Sequence, residues 1–300
     1  MNSVLRAAIS AASLLLVLSS RSADAQNLPQ SFVPASDMPL FSGQEGEWDA
    51  LIRERGWIMH EDGEWKLWYT GYDPDRTPSL RLLGYATSTD GRHWTRHPRN
   101  PLISDLWVED MMIVRDGPTL YMFAEGAEDQ AQLLKSSDGV SWTRVGTLDV
   151  RLQNGTPIPP GPFGTPVAMK DERGWWLFYE RRDQGVWLAR SADMKIWTNV
   201  QDEPVMRPGP DYDSQMMAMN QLIRAGDRYV AVLHGSADTE KPRRWVTYLA
   251  ESKDLLKWSK AGAPLTVPEL NRSSGMLLNT GGRWQLFTTH ARLDTYHPAD

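Results

Sequence analysis

The 300-residue sequence contains no cysteine, which excludes disulfides, thiolate metal sites and a cysteine nucleophile. Beyond its first residues it has no apolar run long enough to span a bilayer, and a mean hydropathy of -0.48 excludes a membrane-embedded body. It has no basic excess: 32 Lys and Arg stand against 38 Asp and Glu, a formal net charge of -6. That balance disfavours nucleic acid and anionic membrane as partners. Metal-ligand motifs, a phosphate-cradling glycine loop and a serine-hydrolase elbow are also missing. Phenylalanine is scarce, 6 residues against 14 tryptophans. Tryptophan fills the core between stacked sheets and also offers flat faces to sugar rings, so its abundance alone decides nothing.

The first residues read as a secretory signal. Arg6 gives a modest positive start, residues 7–18 an apolar stretch, and Ala23-Asp24-Ala25 a small-x-small cleavage site. Residues 1–25 are therefore expected to be removed. The mature chain would begin at Gln26 and be secreted or periplasmic. Without Arg6, Arg21 and Asp24 its charge becomes one unit more negative. An exported chain without disulfides must hold itself together by its core, which suits residues 26–300 as one domain.

A repeat dominates the sequence. Ser88-x-Asp90-x-x-x-Trp94 recurs as Ser136-x-Asp138-x-x-x-Trp142, Ser191-x-Asp193-x-x-x-Trp197 and Ser252-x-Asp254-x-x-x-Trp258. Ser and Asp side chains cap tight turns, and the Trp that follows anchors the turn by packing. Upstream of each copy lies a hairpin with a Gly turn, at Gly63, Gly117, Gly174 and Gly226, and a fifth hairpin turns at Gly282. A hairpin plus a capped turn gives four antiparallel strands, one propeller blade. The expected fold is an all-β, five-bladed β-propeller. The fifth copy runs out after two strands, so the N-terminal segment around residues 39–47 is expected to supply the missing outer strands and close the ring.

In a propeller the inner strands start, and the second strands end, on one face of the central channel. Aligning the hairpins brings Arg53, Glu54, Arg55, Glu109, Asp110, Thr165, Asn220, Ser273 and Ser274 to that face from strand starts. Thr70, Glu125, Glu180, His234 and His290 come from strand ends, with Trp48 and Asp49 just before blade one. Clustered carboxylates shift one another's proton affinity and neighbouring Arg keeps some ionised, the split that acid/base pairs require. Glycosidic cleavage needs two such groups. Trp48 and Trp107 lie where they can stack on sugar, and packing is an equal reading for each. Arg53, Arg55, Glu125, Thr165, Asn220, His234 and His290 are candidate substrate contacts. Arg53, Glu54 and Arg55 also read as an ion-pair cluster closing the ring. Asp129 reads as a solvated loop charge. No cofactor is expected, although an ion in the central channel is compatible with the ring of acids.

Residues 64–71 (EWKLWYTG), 83–88 (LGYATS) and 107–112 (WVEDMM) resemble glycoside hydrolase family 43 and its five-bladed relatives, with the blade pattern running from about Trp48 to His290. The resemblance implies a carbohydrate substrate of arabinose, xylose or galactose type and hydrolysis with inversion. It also implies three working carboxylates: a base in blade one, an orienting residue in blade two and an acid in blade three. Asp110 matches the second by position, with Glu109 beside it. Blade one presents Gly56 at the base position, leaving Asp49 or Glu54, and blade three presents Gly164-Thr165-Pro166 at the acid position, leaving Glu180. Two other readings stay open: a phosphorylase resembling family 130, with Arg53, Arg55, Arg181, Arg182 and His234 around phosphate, and a sugar-binding propeller without catalysis. A monomer is expected in each case.

Overall fold

The structure is a computed structural model that describes residues 28–299. The signal segment 1–25 and the mature start at Gln26 lie outside the described residues. The chain forms five antiparallel sheets in sequence order, the five blades expected. Blade one has an inner strand in two pieces, Leu51–Ile52 and Trp57–Glu61, then Glu64–Tyr72, Leu82–Ser88 and Thr95–Arg96. Blade two is Glu109–Asp116, Thr119–Gly126, Gln130–Ser136 and Thr143–Thr147. Blade three is Gly164–Asp171, Gly174–Glu180, Val186–Ser191 and Ile196–Asn199, with Asp149–Arg151 parallel to its outer strand. Blade four is Met216–Ala225, Arg228–Ser236, Val246–Ser252 and Ser259–Ala261.

Blade five corrects one expectation. Its third strand is the chain's own C-terminal segment, Arg292–Pro298, after Gly275–Thr280 and Arg283–Thr289. The N-terminal segment supplies only the outermost strand, as Phe32–Pro34 and Phe41–Ser42. No Ser-x-Asp turn announces this third strand, so spacing alone does not reveal it. Its Leu293 is buried in the main core and its Tyr296 in a separate cluster with Leu277 and Leu286.

The four repeated turns form as their chemistry requires. In the second, Ser136 Oγ accepts from Asp138 N and Gly139 N (3.2 and 2.8 Å), and Asp138 Oδ1 accepts from Val140 N and Ser141 N (2.8 and 2.6 Å). Three of these turns then seal a seam between blades. Trp142 sets its edge on Trp68 of blade one (centroids 6.4 Å), Trp197 on Phe123 of blade two (5.9 Å) and Trp258 on Phe178 of blade three (6.0 Å). Trp68, Trp197, Phe123 and Phe178 are fully buried. Burying a large apolar side chain contributes about 1.5–3 kcal/mol, so these seams outweigh any surface pair. On the face away from the carboxylates, ion pairs tie successive inner strands: Glu61 to Arg115 (2.6 Å), Asp116 to Lys170 (2.6 Å) and Glu172 to Arg224 (3.9 Å).

Candidate active site

The inner strand of each blade begins with one irregular residue. Arg55, Asp110, Thr165 and Ser274 all adopt a left-handed backbone, with φ of 53°, 50°, 49° and 58°. In blade four the equivalent is Asn220, the bulged residue between Met219 and Gln221. These positions recur at intervals of 55, 55, 55 and 54 residues. Blade one therefore presents Arg55, not Gly56, at the position aligned with Asp110. A left-handed non-glycine residue costs about 1–3 kcal/mol, and it recurs at the aligned position in four of the five blades.

Second-strand ends complete the ring. Glu125 pairs in register with Glu109, and Glu180 with Gly164. Gly164 has a particular duty: a Cβ there would fall 1.9 Å from Glu125 Oε2 and 3.2 Å from Glu180 Oε1. Both carboxyls thus close on one glycine, from neighbouring blades. Glu125 Oε2 accepts from Thr165 N (3.0 Å), and Glu180 Oε2 accepts from Asp183 N (2.5 Å). Thr165 therefore enters the site through its backbone.

Burial and neighbours split these acids. Burial pushes Asp110 well above the usual carboxylate range; Arg55 opposes this while Glu54 and Glu109 add to it. Asp110 Oδ1 has no hydrogen-bond partner. Glu125 is likewise raised by burial and by Asp110 and Glu109. Burial with Asp183 nearby lifts Glu180 to about 7, and burial with Glu54 nearby lifts Asp183 to about 6. Glu54 goes the other way. Burial opposes its ionisation, but Arg53, His234 and His290 outweigh it and hold the carboxyl below its ordinary value.

Arg55 is 2 % exposed and donates through Nη2 to the carbonyls of Pro166 (3.2 Å) and Asn220 (3.5 Å). A blade-one side chain thereby crosses to blades three and four, with Nη1 unpartnered. Arg53 meets Glu109 (3.1 Å) and Glu54 (3.3 Å). Arg81 reaches the same Glu109 (3.6 Å), lying over Tyr72 and Trp107 at 3.9 and 5.1 Å from their ring centroids. Trp107 is thus covered by a guanidinium. Blades four and five face the acids with neutral groups. His234 is lowered by burial to about 4 and bonds Asn220 Oδ1 through Nδ1 (2.7 Å). His290 Nδ1 meets Ser273 Oγ (2.6 Å), and that hydroxyl also donates to Glu54 (3.2 Å).

Trp48 and Asp49 are placed differently. Asp49 is fully buried, and its Oδ2 accepts from Tyr69 Oη (2.9 Å) and Arg96 Nε (2.8 Å). Blade four repeats the arrangement with Asp213, Tyr248 and Lys260. The repetition marks a tie that braces a blade. Trp48 stacks on Tyr69 (5.9 Å) and packs against Gly71.

Two participants were not foreseen. Asp183 follows Glu180 on a loop whose residues 182 and 183 are both left-handed (φ 56°), and the run Glu180-Arg181-Arg182-Asp183 was its only signal. Asp129 is exposed, as a loop charge should be, yet one oxygen each of Glu109, Glu125 and Asp129 lie within 4.8 Å of one another. Those three are the residues that could hold a channel cation. Arg53 and Arg81 already bring positive charge to Glu109 there.

No family model matches the chain. It is 25% identical over 256 residues to a 1,2-beta-oligomannan phosphorylase of Thermoanaerobacter sp. (strain X514), covering 78% of this chain and 82% of that protein. Among solved structures it resembles a glycosyl hydrolase from Bacteroides ovatus, with a TM-score of 0.72, 15% identity, and coverage of 91% of this chain and 96% of that one. It also resembles a beta-1,2-mannobiose phosphorylase from Listeria innocua, with a TM-score of 0.66, 14% identity, and coverage of 89% and 95%. The fold is that of propellers of glycoside hydrolase and phosphorylase type.

Proposed function

We propose that the chain is an exported glycosidase that cleaves short oligosaccharides at the channel mouth, with Asp110 as the acid. One observation carries this reading: carboxyls gathered within one channel are driven to opposite protonation states. Burial raises the proton affinity of Asp110 well above the usual carboxylate range, and one of its oxygens has no protein partner. It can give its proton to the glycosidic oxygen as the bond to the anomeric carbon breaks. Glu180, ionising around 7, takes a proton from the attacking water as its oxygen bonds to that carbon. Glu109, Glu125 and Arg55 hold Asp110 in its field, and Glu54 stays charged opposite them. Asp49 has no part in this scheme, because Tyr69 and Arg96 fix its Oδ2 in a tie that blade four repeats.

The similarity to an oligomannan phosphorylase makes manno-oligosaccharides the first substrates to test, ahead of arabinose-, xylose- or galactose-type glycosides. It also favours a second reading in which phosphate replaces water. Against that stand the cations themselves. Arg53 is held by Glu54 and Glu109, and Arg181 by the carbonyls of Pro159, Pro160 and Pro162. A phosphate would have to displace those partners. The test is proton NMR of β-linked manno-oligosaccharide cleavage with and without inorganic phosphate. Free sugar at equal rates in both, with the inverted anomer formed first, supports hydrolysis. A sugar phosphate formed only with phosphate present replaces it with phosphorolysis. Binding without turnover in either sinks both.

A further inference from the structure

Three of the five seams close on a turn tryptophan; blade five has no such turn, and in blade one the turn is present but the contact fails. Trp142, Trp197 and Trp258 each set an edge on the aromatic residue of the preceding blade. Trp94 occupies the same place in blade one, and Phe287 is the corresponding residue of blade five. They make no ring contact; Phe287 meets Trp65 instead (5.8 Å). The indole N–H of Trp94 is without a partner, as is that of Trp197, whereas those of Trp142 and Trp258 each donate to a turn carbonyl at 2.9 Å. Where the seam should close there is a groove of about 730 Å³, roofed by residues 35–40 of the N-terminal strap. That volume falls in the range of small-ligand pockets, about 300–1,000 Å³.

We propose that this ring-closing groove is a second carbohydrate-binding site, separate from the channel. It goes beyond the cleavage reading. Trp65 begins the strand whose far end reaches the carboxylate mouth, so the groove opens away from it. Its wall presents the half-buried ring of Trp94, with Trp65 and Phe287 buried behind it, beside hydrogen-bonding groups from His93, Gln285 and Ser36. A sugar ring needs that mixture: an apolar C–H face on an aromatic wall and hydroxyls toward planar polar groups. A peptide strand is disfavoured because the strap's own backbone is already taken, Ala35 N by Thr295 O (2.9 Å) and Leu40 N by Leu293 O (2.8 Å).

The test is affinity electrophoresis of the mature protein through gels containing yeast mannan, arabinoxylan or galactan, with Asp110→Asn present throughout to silence turnover. At least one polysaccharide should retard the protein. Trp94→Ala should weaken that retention by about three- to tenfold, the size of one lost aromatic contact. Ala35→Arg crowds the groove from its exposed rim without touching the core, and should do the same if Trp94→Ala folds poorly. In the otherwise native enzyme, both changes should leave kcat/KM on a disaccharide unaltered. Retention by no polysaccharide, or retention indifferent to both groove changes, overturns the proposal. A propeller that is retained through the groove yet cleaves nothing keeps this site and loses the cleavage reading.

Discussion

Asp138 and Asp110 sit in the same blade and end with opposite proton affinities. Asp138, in an exposed turn, collects the backbone N–H groups of Ser141 and Val140, which hold its carboxyl below the usual range. Asp90 and Asp254 do the same in their turns. Asp110 sits in the channel, where burial and neighbouring carboxyls push it up and one oxygen finds no partner. The residue type is constant and the surroundings differ. A turn aspartate is satisfied by the backbone it organises, so it has nothing left to give a substrate. A channel aspartate is left unsatisfied by the fold, and that residual demand is what chemistry uses. Asp49 shows that neither burial nor one partnerless oxygen alone makes a catalytic group: its Oδ1 also lacks a partner, but Tyr69 and Arg96 hold its Oδ2 in a blade tie.

That contrast is best broken from its reactive side. Glu180→Gln should lower turnover by about 10²–10⁴-fold, the usual worth of a general base. In the native enzyme, turnover should rise with pH through about 6–7, as Asp183 and Glu180 ionise, and fall at higher pH as Asp110 loses its proton. The linked stability runs oppositely to that rise. Glu180's affinity is raised on folding from 4.5 to about 7, so the fold favours its protonated form. Its contribution is complete below 4.5 and lost as pH climbs through about 7. Thermal melts across that window should slope downward in the native protein and flatten in Glu180→Gln.

Gly164→Ala should come next. The added methyl meets Glu125 Oε2 at 1.9 Å, so one carboxyl must move. Overpacking of this kind costs about 1–3 kcal/mol, and the pH profile should shift because the displaced Glu125 no longer faces Asp110. An unshifted profile would mean that the two glutamates do not act as a unit. Tyr69→Phe and Tyr248→Phe test the blade ties. Each removes one hydrogen bond to a buried aspartate, so each should lower stability by about 1–3 kcal/mol and leave the pH profile in place. A profile moved by Tyr69→Phe but not by Tyr248→Phe would return Asp49 to the site. Asp138→Ala should have the smallest effect, a melting point lowered by a few degrees with kcat/KM intact.

The blade count was legible because the Ser-x-Asp-x-x-x-Trp turn is local: backbone N–H groups a few residues away satisfy it, so spacing alone reveals it. The channel members were legible for a related reason, since hairpin turns at Gly63, Gly117 and Gly174 fix which residues start and end strands. What spacing could not reveal was partnership across blades. Asp49 looked equal to Glu54 until Tyr69 and Arg96 were seen to hold it. Asp183 passed unnoticed, and Asp129 reads from sequence only as a solvated loop charge, because loops, not strands, bring them to the channel. The third strand of blade five was missed because its entry at Ala291 (φ 63°) carries no repeat signature. The 55-residue recurrence from Arg55 to Asn220 was present in the sequence, but only the left-handed backbone shared by Arg55, Asp110 and Thr165 gives it meaning.

The most direct test of the central claim compares Asp110→Asn with the native enzyme on two substrates, a manno-disaccharide and a 2,4-dinitrophenyl glycoside of the same sugar. A leaving group that needs no proton bypasses the acid. The account predicts a loss of about 10²–10⁴-fold on the disaccharide and little loss on the dinitrophenyl glycoside. Equal losses on both, or none on either, would contradict Asp110 as the proton donor.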